Sequence, residues 1–211
     1  MSKITILRNH EAYEGDIESI LNYALEIVND KLPHRVEKKT KEEKSMLLES
    51  LLLRACARWE SFVENEVVLL VSSEPRKLKN EMGLPQNTKL NSKLIKALLF
   101  TDAYRSFYNV ERSKGILRKV IADKYNLFDE ITNERVQKIK LVYKIRNYLS
   151  HYSAFSKREL LTAYEKHFNY KRFVEPGLFL VKQDGKYFEK LIHNFKMVSV
   201  SMKKKLNKAV L

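Results

Sequence analysis

An all-α fold is predicted by three features of the sequence. Only 5 glycines and 4 prolines interrupt 211 residues, so few points break a helix. Apolar residues recur mostly at spacings of three and four, the period of a helix with one buried face. Third, Lys41 to Val71 carries Leu48, Leu51, Leu52, Ala55, Cys56, Trp59, Phe62, Val63, Val67 and Leu70 on one wide stripe. The expected architecture is a helical bundle built on that long second helix, as a single domain over residues 1–211, since neither an internal repeat nor a low-complexity linker divides the chain.

The elements follow in order. A first helix fits Tyr13 to Asp30 and ends at "KLPHR", where Pro33 disfavours helical geometry at Leu32. The long helix from Lys41 comes next. Ser72 to Ser92 is polar, broken by Pro75, Gly83 and Pro85, and longer than an ordinary helix connection, so a long surface loop is expected there. Lys93 to Tyr125 reads as one or two helices interrupted near "FYNVERSKG". Thr132 or Asn133 caps a helix whose body is Arg135 to Ser150, and a shorter helix covers Lys157 to His167. A C-terminal extension begins after about residue 170. Within it, "GLFLVKQDGKYFEKL" places the Asp184-Gly185 pair between short stretches, the signal of a small β-hairpin near residues 178–189, in competition with a helix restarting at Tyr187. The last helix runs to about Lys208 and ends in lysines that complement its dipole.

Forty Lys and Arg against 26 Asp and Glu give a net charge of +14, which attracts polyanions: nucleic acid first, anionic lipid surfaces second. The longest apolar runs, "VVLLV" and "KALLF", fall far short of the roughly 20 residues of a membrane span. The N-terminal stretch lacks the order of a secretory signal, and the lone Cys56 has no partner for an internal disulfide, so a reducing cytoplasm is the expected location. His10, His34, His151, His167 and His193 are scattered without metal-ligand spacing, and no glycine-rich phosphate loop is present. Neither a metal nor a cofactor is expected.

Several residues invite a chemical reading, each with an ordinary structural one beside it. Glu42-Glu43 and the Glu60 and Glu64 pair suit acid–base work, or a solvated helix face. Trp59 suits a core anchor better than a base-stacking platform. Tyr104, Phe107 and Tyr108 interleave with Arg105 as in single-strand binders, and equally as in a packed core. "KIRNYLSHYS" is the most informative stretch. With Ile139, Val142, Ile145, Leu149 and Tyr152 as its buried stripe, Arg146 falls at one edge, and Asn147 and His151 become neighbours on another side.

Arg146, a polar residue, three more residues and then His151 resemble the Arg-polar-x-x-x-His signature of the HEPN superfamily. "LLLRACARWESFVENEV", with the Trp59-Glu60 pair followed by Phe62, is similar to the second helix of bacterial HEPN ribonuclease-like families, which also place it well upstream of such a motif. The resemblance covers roughly residues 13–170, and the loop at 72–92 and the tail after Asn169 depart from it. It implies an HEPN-like bundle and a metal-independent endoribonuclease, commonly a toxin or phage-defence effector. It also implies a homodimer whose two motifs meet at a composite site, with RNA as substrate and an antitoxin protein as a further partner. His151 then serves as acid or base, Arg146 holds phosphate, and Asn147 orients the site. A non-catalytic module of the same fold that binds RNA, a nucleotide or a partner protein is the alternative.

Overall fold

The computed structural model describes residues 3–31, 38–100 and 110–208. Among these residues every regular element is helical: α1 Lys3–Val28, α2 Lys41–Ser73, α3 Arg76–Glu81, α4 Ser92–Leu99, α5 Val110–Val120, α6 Asn133–His151, α7 Ala154–Phe168, α8 Pro176–Val181 and α9 Lys186–Lys208, with two 3₁₀ turns between α5 and α6. Pro33, His34, Arg105 and the aromatic residues Tyr104, Phe107 and Tyr108 lie outside the described residues.

α1 begins ten residues before the expected Tyr13, at Lys3. Its buried residues are Ile6, His10, Tyr13, Ile17, Ile20, Ala24 and Ile27, in steps of three and four. The stripe is regular, but His10 on it hides the periodicity from a reading based on hydrophobicity. Past Val28 the chain turns through Asp30 at φ 54°. Lys44 Nζ donates to the Val28 carbonyl at 2.9 Å and to Asp30 Oδ2 at 2.8 Å, so a cation closes the carbonyl end of α1. The bond to Lys44 is the main reason the Asp30 carboxyl is held below its usual range.

α2 starts on a capping box. The Thr40 N–H donates to Glu43 Oε2 at 2.8 Å, and the Glu43 N–H donates to Thr40 Oγ1 at 3.2 Å. Glu43 is therefore a helix-start residue, and Glu64 is ion-paired to Lys96 at 2.6 Å. All ten residues of the expected α2 stripe are buried, Trp59 among them at 1% exposure. The 72–92 segment is not a plain loop: it contains α3, whose Leu78 is buried.

No hairpin forms at 178–189. Pro176 stands at the first position of α8, and Asp184-Gly185 joins α8 to α9. The pair does mark a positive-φ turn, with Gln183, Asp184 and Gly185 at 52°, 54° and 77°. What replaces the strand is a helical turn begun at Pro176, in which the Phe179 N–H donates to the Glu175 carbonyl at 2.9 Å and Phe179 and Leu180 are both buried.

The chain forms two compact units. The first comprises residues 1–14, 59–136 and 197–211, and the second residues 15–58 and 137–196, so the boundaries fall inside α1, α2, α6 and α9. In the first unit Tyr13 stacks on Phe62 with centroids 4.3 Å apart, and Trp59 packs beside both. In the second, Tyr164 and Phe179 pack at 4.4 Å, with Phe168 and Tyr187 against Phe179. Among the described residues, no helix is long and apolar enough to cross a membrane.

Candidate active site

The candidate site lies on the last turns of α6, in the second unit. Ile139, Val142 and Ile145 are fully buried and set the helix's rotation. Thr132 Oγ1 accepts from the Arg135 N–H at 3.4 Å and starts the helix. His151 is its last residue. Tyr152 follows at φ 45°, its N–H donating to the Tyr148 carbonyl at 2.8 Å. Ser153 then opens α7 with a capping box onto Ser156. The helical period puts Tyr152 on the buried stripe, yet the helix has already ended there and its side chain is 65% exposed.

Asn147 Oδ1 accepts from Arg146 Nη1 at 3.3 Å, and both residues are half-buried. Asn147 thus holds the guanidinium on the helix. His151 is exposed. At 100° per residue Asn147 and His151 point about 40° apart, whereas Arg146 and His151 diverge by about 140°. One chain therefore brings Asn147 beside Arg146 and beside the line of His151, and does not converge Arg146 with His151.

Tyr148 anchors this end of α6. It is buried, and its hydroxyl donates to Glu175 Oε2 at 3.1 Å. Phe173 meets its ring edge-on at 5.1 Å. Burial, then the Glu175 bond, pushes the phenol up to about 12. Glu175 is the residue before α8, and α8 is itself fastened to α2, where the Gly177 N–H donates to Glu49 Oε1 at 2.6 Å. A Cβ on Gly177 would stand 2.6 Å from Ser45 Cβ and 2.9 Å from the Ser45 backbone, so only glycine permits this approach. Burial raises the Glu49 carboxyl above its usual range, with Glu175 adding to it against the Gly177 bond.

A second constellation escapes sequence reasoning. In the first unit, His10, Glu66 and Ser199 are each 0% exposed. Ser199 Oγ donates to Glu14 Oε1 at 2.8 Å and so accepts from His10 Nδ1 at 2.7 Å, its single proton being already placed. His10 Nε2 faces Glu66 Oε1 at 3.1 Å, a contact that holds one proton between imidazole and carboxylate. Asn9 Nδ2 donates to Glu66 Oε2 at 2.9 Å, and Lys203 Nζ to Glu14 Oε2 at 2.7 Å. The hydrogen bonds among these groups offset much of the cost of burying them. The order carboxylate, imidazole, hydroxyl is that of a hydrolase triad, but the hydroxyl is sealed from any substrate and hydrogen-bonded on both sides. The network is structural. Its trace in the sequence is a polar residue on each of three largely apolar stripes: His10 on α1, Glu66 on α2 and Ser199 on α9, with Ser45 of α2 and Asn194 of α9 buried as well.

Among the described residues, no three His, Cys, Asp or Glu side chains group to hold a metal ion. Comparison with protein-family models, with curated proteins and with solved structures gives no match to the chain, so the reading of the site rests on its own residues.

Proposed function

We propose that the protein is a metal-independent endoribonuclease of the HEPN type that acts as a toxin or phage-defence effector, with Arg146, Asn147 and His151 forming half of a site that a second copy completes. One observation carries the reading. The end of α6 offers an exposed imidazole at His151, one turn beyond an Asn147 that braces the Arg146 guanidinium.

RNA supplies its own nucleophile, the 2′-hydroxyl. The protein has to accept that proton, return one to the departing 5′-oxygen and neutralise charge gathering on the phosphate. Imidazole performs either proton transfer near neutral pH. A guanidinium offers a forked pair of donors to the phosphate oxygens. The divergence of Arg146 and His151 around α6 suits a two-fold arrangement, in which the arginine of one chain serves the histidine of the other and two histidines supply the acid and the base.

The test is digestion of RNA in EDTA by the wild type, Arg146→Ala and His151→Ala. Cleavage ends bearing 2′,3′-cyclic phosphate, absent with both variants, support the reading. Full activity in His151→Ala removes the assignment. Intact RNA with salt-sensitive binding by the wild type points instead to a binding module of the same fold.

A further inference from the structure

α7 folds back along α6. Lys144 Nζ reaches the Glu159 carboxylate at 3.1 Å and the Glu159 carbonyl at 3.4 Å. Beyond that contact the two helices enclose an open groove of about 320 Å³, within the range of small-ligand sites. Its floor is apolar, built from Leu141 and Ala163, and its walls carry three lysines, Lys140 and Lys144 on α6 and Lys166 on α7, with His167 beside the last. Glu159 is the carboxylate on this side of α7. Its pair with Lys144 is half-exposed on both sides and so readily exchanged for another anion.

The helical period extends the groove in one direction. On α6, Lys140, Lys144 and His151 lie at steps of four and seven residues, on one face and about 6 and 10.5 Å apart along the axis. On α7, Phe155, Glu159, Thr162 and Lys166 share a face in the same way, running in the opposite sense. Phe155 is therefore on the groove side at the end where His151 stands, and it is 67% exposed. An aromatic ring left in water at the mouth of a cationic channel has no packing role to explain it.

We propose that the α6–α7 groove is a track for the phosphodiester backbone of a single-stranded nucleic acid, with Phe155 stacking a base at the His151 end. It rests on the ribonuclease reading only for where the strand leads; binding in the track needs no cleavage. Lys140, Lys144 and Lys166 neutralise successive phosphates, and Lys144 exchanges Glu159 for one of them. The base platform tolerates any sequence, because every base has a stacking face. His167 completes the wall. Burial first, then Lys166 and Lys144, lowers its affinity for a proton, so an anion entering the groove raises it again.

The experiment is fluorescence anisotropy of a labelled 2′-O-methyl oligonucleotide, which offers no 2′-hydroxyl for cleavage, across a salt series. Lys140→Glu with Lys166→Glu is expected to weaken binding at least tenfold and to flatten the salt dependence by about 0.7 for each phosphate left without its lysine. Lys204→Glu with Lys208→Glu, an equal charge change on exposed residues of α9, is expected to cost less than about threefold. Phe155→Ala is expected to cost about tenfold with the salt slope unchanged. Equal losses in the two double variants overturn the track, as does displacement of the oligonucleotide by polyglutamate at matched charge. Should the groove double variant misfold, Lys166→Glu alone, on an exposed residue, and the NMR titration of His167 with and without oligonucleotide decide the matter: an unmoved His167 overturns it. Full RNA cleavage by the groove variant removes the track and leaves the ribonuclease reading. Binding abolished in that variant, with no cleavage by the wild type, does the reverse.

Discussion

Two histidines of this chain stand in opposite situations. His10 is fully buried, with both ring nitrogens bonded, to Ser199 and Glu66, and its ring edge-on to Phe62 at 5.0 Å. His151 is exposed at a helix end, one turn beyond an asparagine that braces an arginine. The first has the partners that a catalytic base requires and no path for a substrate. The second has a path and, among the described residues, no fixed partner. A hydrogen-bonded triad is therefore not in itself a site: access separates the histidine that holds a fold from one that a substrate can reach.

The largest effect that sharpens this contrast is on activity. His151→Ala is expected to reduce RNA cleavage by about 10²- to 10⁴-fold, while its stability in urea stays within about 0.5 kcal/mol of wild type. A large loss of stability instead would make His151 a residue of the fold. His10→Ala is expected to do the opposite, costing about 3 to 5 kcal/mol because it leaves Glu66 buried without the imidazole that bonds its Oε1. Cleavage per folded molecule should be unchanged, and a stable but inactive His10→Ala protein would erase the distinction.

Smaller effects probe how the end of α6 is held. Gly177→Ala forces a Cβ into Ser45, and a loss of about 1 to 3 kcal/mol in thermal or urea unfolding is expected. Tyr148→Phe removes one hydroxyl bond to Glu175, worth about 1 kcal/mol at neutral pH. The same variant carries a pH signature. The Tyr148 phenol rises from 10.0 to about 12 in the fold, so between those values the unfolded chain has given up a proton that the folded chain keeps. Its contribution to stability is complete below pH 10 and disappears as the pH climbs through 12. Wild type should therefore lose stability across that window more steeply than Tyr148→Phe, and parallel curves would show that the phenol is not held by the fold.

Much of the fold is legible along the chain. The α2 stripe predicts ten buried residues, and all ten are buried, because a helix repeats its inward face every three or four positions whatever it packs against. That Arg146, Asn147 and His151 share one helix is equally readable, since they fall within six residues, although the chain does not bring Arg146 to His151. The failures are instructive. Asp184-Gly185 signals a positive-φ turn but not whether strands or helices flank it, and the helical turn begun at Pro176 settled that for helices. Tyr152 follows the helical period only if the helix continues, and it stops one residue earlier.

By itself, the sequence determined the helical class, the spine of the core, the cationic character and the residues offered for chemistry on α6. Each depends on composition or on neighbours within a few turns. Tertiary structure alone decided that His10 meets Ser199 from 189 positions away, that Gly177 closes on Glu49 from 128 positions away, and that Lys140 and Lys144 of α6 share a groove with Lys166 of α7. Such pairings leave almost no local trace. They come from two separately regular faces brought together by burial, and a polar residue on an apolar stripe shows that a partner is needed without saying which one.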